Sequence, residues 1–182
     1  MFWFDLLLLL IILGSMLVGF QQGVIRQAVN LLALFFGLLV AATYQGRLSR
    51  AFTGLIGGSG DFARQTVIFV IIVVAVWGLV NLAMAFGFRE TRLRTGQTLD
   101  RLLGLVLGVI NGVVWSLVLV LVLSFMTSVP WPQRYDSVRR FLEAGLDASL
   151  LRPTILQLLP VVGSALKPLL PSGLPALFYQ KF

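Results

Sequence analysis

The chain has 182 residues and contains neither cysteine nor histidine. Disulfides, thiol nucleophiles and thiolate or imidazole metal sites are therefore excluded. The side chain that most often shuttles protons near neutral pH is missing as well. Acids are few: Asp5, Asp61, Glu90, Asp100, Asp136, Glu143 and Asp147, scattered along the chain. Paired-carboxylate chemistry has little to work with, so no catalytic residue, metal ligand or cofactor is expected. Proline is absent before Pro130, and all seven prolines lie at or after it. Charge is also scarce: 12% of residues are charged, against about 25% in an ordinary soluble domain.

What replaces these residues is apolar surface. Hydrophobic residues make up 58% of the chain, and the mean hydropathy is +0.96. Four long apolar runs account for this. At 1.5 Å rise per residue, about 20 residues cross a hydrocarbon core of roughly 30 Å. Residues 2–20 form the first run, with Asp5 as its only charge. Asp5 either lies at the interface and favours a helix N-terminus or belongs to a polar pathway. No basic residue precedes the leucines and no small-residue cleavage site follows them, so this run reads as a mature span rather than a signal peptide. The polar break at residues 21–27 is short, and spans at 2–20 and 24–44 would form an antiparallel hairpin. A third span is expected over 66–88. A fourth is expected over 102–126, with Thr98 as a candidate helix cap and Asp100 in the first turn. A glycine cluster at residues 57–60 marks a loop; without a preceding strand or a P-loop lysine it is a poor phosphate site. The expected fold class is all-α: a multi-pass bundle of four helices, since open sheets are not viable in lipid.

Residues 1–129 thus read as a four-span membrane domain and residues 130–182 as a second region. In the second, residues 136–151 place Val138, Phe141, Leu142, Leu146 and Leu150 on one helical face, opposite Arg139, Arg140, Glu143 and Asp147. This predicts an amphipathic helix. The apolar pieces after it are cut by prolines and fall short of spanning length, which suggests a tail lying on the membrane surface or packing under the bundle. In the spans, Gly104, Gly108 and Gly112 recur four apart and suit a tight helix–helix or subunit interface. Asn81, Asn111 and Ser116 are polar at membrane depth. The two asparagines would either bond across helices or line a narrow wet path. No ionisable residue is expected deep in a span, which argues against a proton- or ion-coupled pump.

The ordered signals resemble the colicin V production protein family of bacterial inner-membrane proteins. The resemblance rests on Asp5, then on G-F-x-x-G-x-x-R-Q at Gly19, Phe20, Gly23, Arg26 and Gln27. It continues with L-D-R-L-L-G at Leu99 to Gly104, which includes Asp100 and Arg101, and with Gly108 and Gly112. Gln27 stands where the family pattern often has Glu, and Asn111 where it often has Arg. The resemblance covers about residues 1–126. It implies a non-enzymatic membrane protein supporting bacteriocin (toxin) production or export. A small oligomeric channel- or carrier-like protein is one form of that role; a non-transporting scaffold or assembly factor for envelope homeostasis is the alternative. The partners expected are the lipid bilayer, further copies of the chain and other envelope proteins. Nucleic acid is not expected, because headgroup contacts and topology signals account for the net charge of +7. The basic residues divide almost evenly between the two sides of four spans, so charge alone does not orient the chain. Relatives with a protease domain outside the cytoplasm after the fourth span favour a periplasmic location for both termini.

Overall fold

A computed structural model describes residues 2–51, 61–87, 97–128, 135–166 and 168. The described residues are all-α. Four long helices, α1 (Trp3–Gln22), α2 (Val24–Ala51), α3 (Asp61–Gly87) and α4 (Gln97–Ser128), are each long and apolar enough to cross a membrane. Three shorter helices follow: α5 (Asp136–Asp147), α6 (Leu151–Leu156) and α7 (Leu159–Leu166).

The long helices exceed the apolar runs at most ends. α2 continues past Tyr44 to Ala51, and α4 starts at Gln97 rather than near residue 102. A helix has no reason to stop at the hydrocarbon boundary, because each further turn satisfies its own backbone groups. Arg50 in the last turn of α2 suits the negative end of the helix dipole. Thr98, expected as a cap, lies inside α4.

α1 packs along α4, α4 along α2, and α2 along α3. α4 is therefore the central element and α3 an edge. On α1 and α4 the contact numbering runs in opposite senses, with Gly19 against Gly104 and Gly112 against Ile12, so the pair is antiparallel. α2 and α4 run parallel: Val24 lies at Asp100 and Gln27 at Asn111. Two apolar clusters share α4. One joins Leu34, Leu38 and Ala41 to Phe69, Val73, Val118 and Phe125. The other joins Phe4 and Leu8 to Leu117, Val120 and Leu121, with Leu146 of α5 and Ile155 of α6. The outer faces of α1 and α3 expose Leu6, Leu10, Leu17, Ile71, Leu79 and Phe86. In lipid such a surface carries no desolvation cost.

α5 is amphipathic but shorter than the pattern predicts. It ends at Asp147, and Leu150, expected on its apolar face, lies outside it and is exposed. The cause is Asp5. Its carboxylate accepts hydrogen bonds from the Ser149 hydroxyl and from the backbone N–H groups of Leu150 and Leu151. The chain bends by 77° between α5 and the segment Leu151–Ala165. Trp3 stacks on Phe141, with ring centroids 4.8 Å apart, and its indole lies over Gly145, where a Cβ would leave no room. Arg139 ties α5 to the end of α4 through the carbonyl of Thr127, 3.2 Å away, one of the last-turn carbonyls a helix leaves unpaired.

Candidate functional site

The motif residues converge where α1 turns into α2. Only Gly23 separates the two helices, at φ 80°. That left-handed backbone favours glycine, and a Cβ there would collide with the Asp100 carboxylate. Asp100 is 4% exposed and accepts a hydrogen bond of 3.0 Å from the N–H of Val24, the first residue of α2. Asp100 lies in the first turn of α4, as expected, and its carboxylate also caps α2. The arrangement follows from the unpaired donors and partial positive charge of a helix N-terminus. Arg101 next to it is exposed, its guanidinium 5.7 Å from the centre of the Phe20 ring. Arg26 is half-buried, and its Nε is buried without a protein partner.

The glycines of α4 face α1 of the same chain. A Cβ on Gly104 would lie 2.8 Å from the Gly23 carbonyl carbon; on Gly108, 3.1 Å from the Cα atoms of Gly19 and Met16; on Gly112, 2.8 Å from the Cα of Ile12. Backbone therefore packs on backbone over two to three turns, and no side chain fits in between. Gly19 contributes the complementary gap from α1.

Beside this seam lies a group of four buried or half-buried carboxamides. Gln22 accepts through Oε1 from Asn30 Nδ2 at 3.3 Å and from Gln27 Nε2 at 3.5 Å. Gln27 Oε1 accepts from Asn111 Nδ2 at 3.4 Å. Gln27 is 1% exposed. All three bonds are long for their type. Four primary amides offer eight N–H donors, so most of the group's capacity is unused by these bonds. Asn111 Oδ1, Ser116 Oγ and Ser124 Oγ are buried without a protein partner. On α4 the stretch Leu117–Leu123 between the two serines is wholly Leu and Val. Polar groups thus occupy two levels with an aliphatic layer between them.

Sequence reasoning placed Asn111 at this site and missed Gln22 and Asn30. Gln22 ends α1, and Gln27 and Asn30 lie in the first turns of α2; the stretch reads as a polar break followed by leucines, and nothing local says which face is covered. Asn81 is elsewhere: it bonds the Trp77 carbonyl of its own helix at 2.9 Å and does not pair with Asn111. Asp5 is at the far end of α1, held by Ser149. Among the described residues no three acids gather into a metal-sized group.

The family model of the colicin V production protein matches residues 4–160. The chain belongs to the colicin V production protein family. No curated protein and no solved structure matches it. The family match runs past the fourth span through α5 and α6, so the likeness extends about thirty residues beyond the segment in which the motifs were read. In this family member, the two positions that depart from the pattern, Gln27 and Asn111, are hydrogen-bonded to each other.

Proposed function

We propose that this colicin V production family member is a multi-pass protein of the bacterial inner membrane, with both termini periplasmic. In this reading it supports bacteriocin production or export as a small oligomeric, channel- or carrier-like protein without enzymatic activity. The observation that carries the reading is the pair of polar levels on α4. Unpaired buried polar atoms are costly in an apolar surrounding, and Asn111, Ser116 and Ser124 keep such atoms at membrane depth. The aliphatic layer between the levels suits a constriction that closes by excluding water. One chain encloses little room and these groups are buried inside it, so a solute path would need α4 to part from its neighbours, with further copies completing the wall.

The test is reconstitution. Wild-type protein and Asn111→Leu, which has similar volume and no amide, are placed in liposomes, and potassium and glycerol fluxes are measured beside the mass of the detergent-solubilised protein. The reading expects an oligomer, flux above that of empty liposomes, and loss of that flux in Asn111→Leu at unchanged mass. A monomeric wild type without flux overturns it in favour of the assembly-factor alternative.

A further inference from the structure

The segment after Asp147 packs against the bundle. It leaves Ser149 at the level of Asp5, in the first turns of α1. Ile155 is buried with Phe4, Leu8, Leu117 and Leu121. Val162 reaches farther and packs against both apolar clusters. There it lines a crevice with Leu38 of α2, Phe69 of α3, and Val114 and Val118 of α4. On α4 the lining of this crevice runs from Val114 to Val122, 14 to 6 residues before the end of the helix, or about 21 to 9 Å along its axis. Leu151–Ala165 would extend only about 23 Å even as one straight helix, so it enters the apolar layer without crossing it. Arg152, at its start, turns back to Asp147 at 2.7 Å, which keeps the charge at the entrance.

We propose that residues 149–165 form a strap that dips into the membrane beside α4 and is latched by the Asp5 carboxylate. Release of the strap uncovers the apolar crevice between α2, α3 and α4. The latch is a set of contacts between the two ends of the chain. Asp5 takes the three donors of Ser149, Leu150 and Leu151 at once, and Ser149 Oγ in turn accepts from the Arg152 N–H at 3.1 Å. The ring stack of Trp3 on Phe141 holds the adjoining α5 independently of the carboxylate. Loss of Asp5 therefore frees the strap while α5 stays in place. Asp5 is a positioning residue in this account, and the account stands whether or not the protein conducts a solute.

The absence of native cysteine makes a clean test possible. Val162→Cys is introduced alone and with Asp5→Ala, and its reaction with N-ethylmaleimide is timed in native membranes. Leu117→Cys, at a position 2% exposed inside α4, reports whether the bundle itself stays closed. The proposal expects Val162→Cys to react slowly with Asp5 present. It expects a rate about tenfold or more higher with Asp5→Ala, the size of effect that loss of a hydrogen bond to a charged acceptor produces, and no change at Leu117→Cys. Equal rates at Val162→Cys with and without Asp5, or fast reaction in its presence, overturn it. Should Leu117→Cys also accelerate, the same comparison is read in Ser149→Ala, which removes one donor and leaves α1 intact. A smaller rise at position 162 alone supports the latch, and no rise refutes it.

Discussion

The two antiparallel seams of this protein are built differently. α1 meets α4 through Gly19, Gly104, Gly108 and Gly112, with backbone on backbone. α2 meets α3 through Leu34, Leu38, Phe69 and Val73, side chain on side chain, with only Gly37 drawing close to the other helix, 3.2 Å from the Val73 carbonyl by its would-be Cβ. In lipid, burying leucine against leucine gains little over burying it against acyl chains. A seam that must be unique is better specified by shape and by polar contacts. The first seam has both, since Asp100 and the carboxamide group sit at its end. Of the family motif residues, Gly19, Gly23, Asp100 and Gly104 lie along it, and Gln27 reaches it through Asn111.

This contrast can be broken experimentally. Gly108→Leu should have the largest effect, beyond the roughly 1–3 kcal/mol usual for overpacking, because backbone on the other side cannot yield. No monodisperse protein is expected by fluorescence-detected size exclusion. Gly37→Ala on the second seam should stay within about 1 kcal/mol of wild type, since a few tenths of an ångström of movement is offset by the better helix propensity of alanine. Equal damage from the two would erase the distinction between the seams.

At the carboxamide group, Gln27→Glu should cost on the order of 3 kcal/mol, the penalty of a buried charge lacking its partner. Adding Asn111→Arg should recover most of it, because those two side chains already touch. Independent, additive losses in unfolding by denaturing detergent would show that the pair is not coupled. Asp100→Ala should cost about 1–3 kcal/mol, as it leaves the part-buried N–H of Val24 without its acceptor. Asp100→Asn, which keeps an acceptor, should cost less. A silent Asp100→Ala would remove the cap from the account.

The smallest effect is expected at α5, outside the seams. A hydrogen bond from Arg139, with help from Arg140 and against some desolvation, holds the Asp136 carboxyl below its ordinary pKa. A depressed folded-state pKa adds stability above the unfolded value of about 3.9, and that stability is lost as pH falls through the folded value. Between pH 7 and 5, α5 should not change. Below about pH 4 it should loosen, read as faster hydrogen exchange at residues 137–147, and Asp136→Asn should abolish that step.

Much of this was legible in the sequence, for identifiable reasons. The four spans follow from length and apolarity alone. Gly104, Gly108 and Gly112 announce a close approach because their spacing repeats the helical period. The partner of Asn111 was not legible: pairing with Gln27 rather than Asn81 depends on α4 packing beside α2 rather than along α3, a choice of neighbours that no local pattern encodes. Asp5 could be placed at the start of a span, but its partner Ser149 is 144 residues away. The contacts of the strap were not legible because its prolines and short apolar pieces fit equally a tail on the membrane surface and one packed under the bundle. What draws it inward is a crevice assembled from three other helices.

The central claim is that the motif glycines join α1 to α4 within one chain. A double variant, Leu8→Cys with Leu117→Cys, tests it directly, since both positions are buried in the same cluster and no other thiol competes. Oxidation in native membranes should give a disulfide inside a single chain, seen as a monomer-sized band whose tryptic fragments from α1 and α4 remain linked. A disulfide-linked dimer, or no disulfide while each single cysteine remains oxidisable, would contradict it.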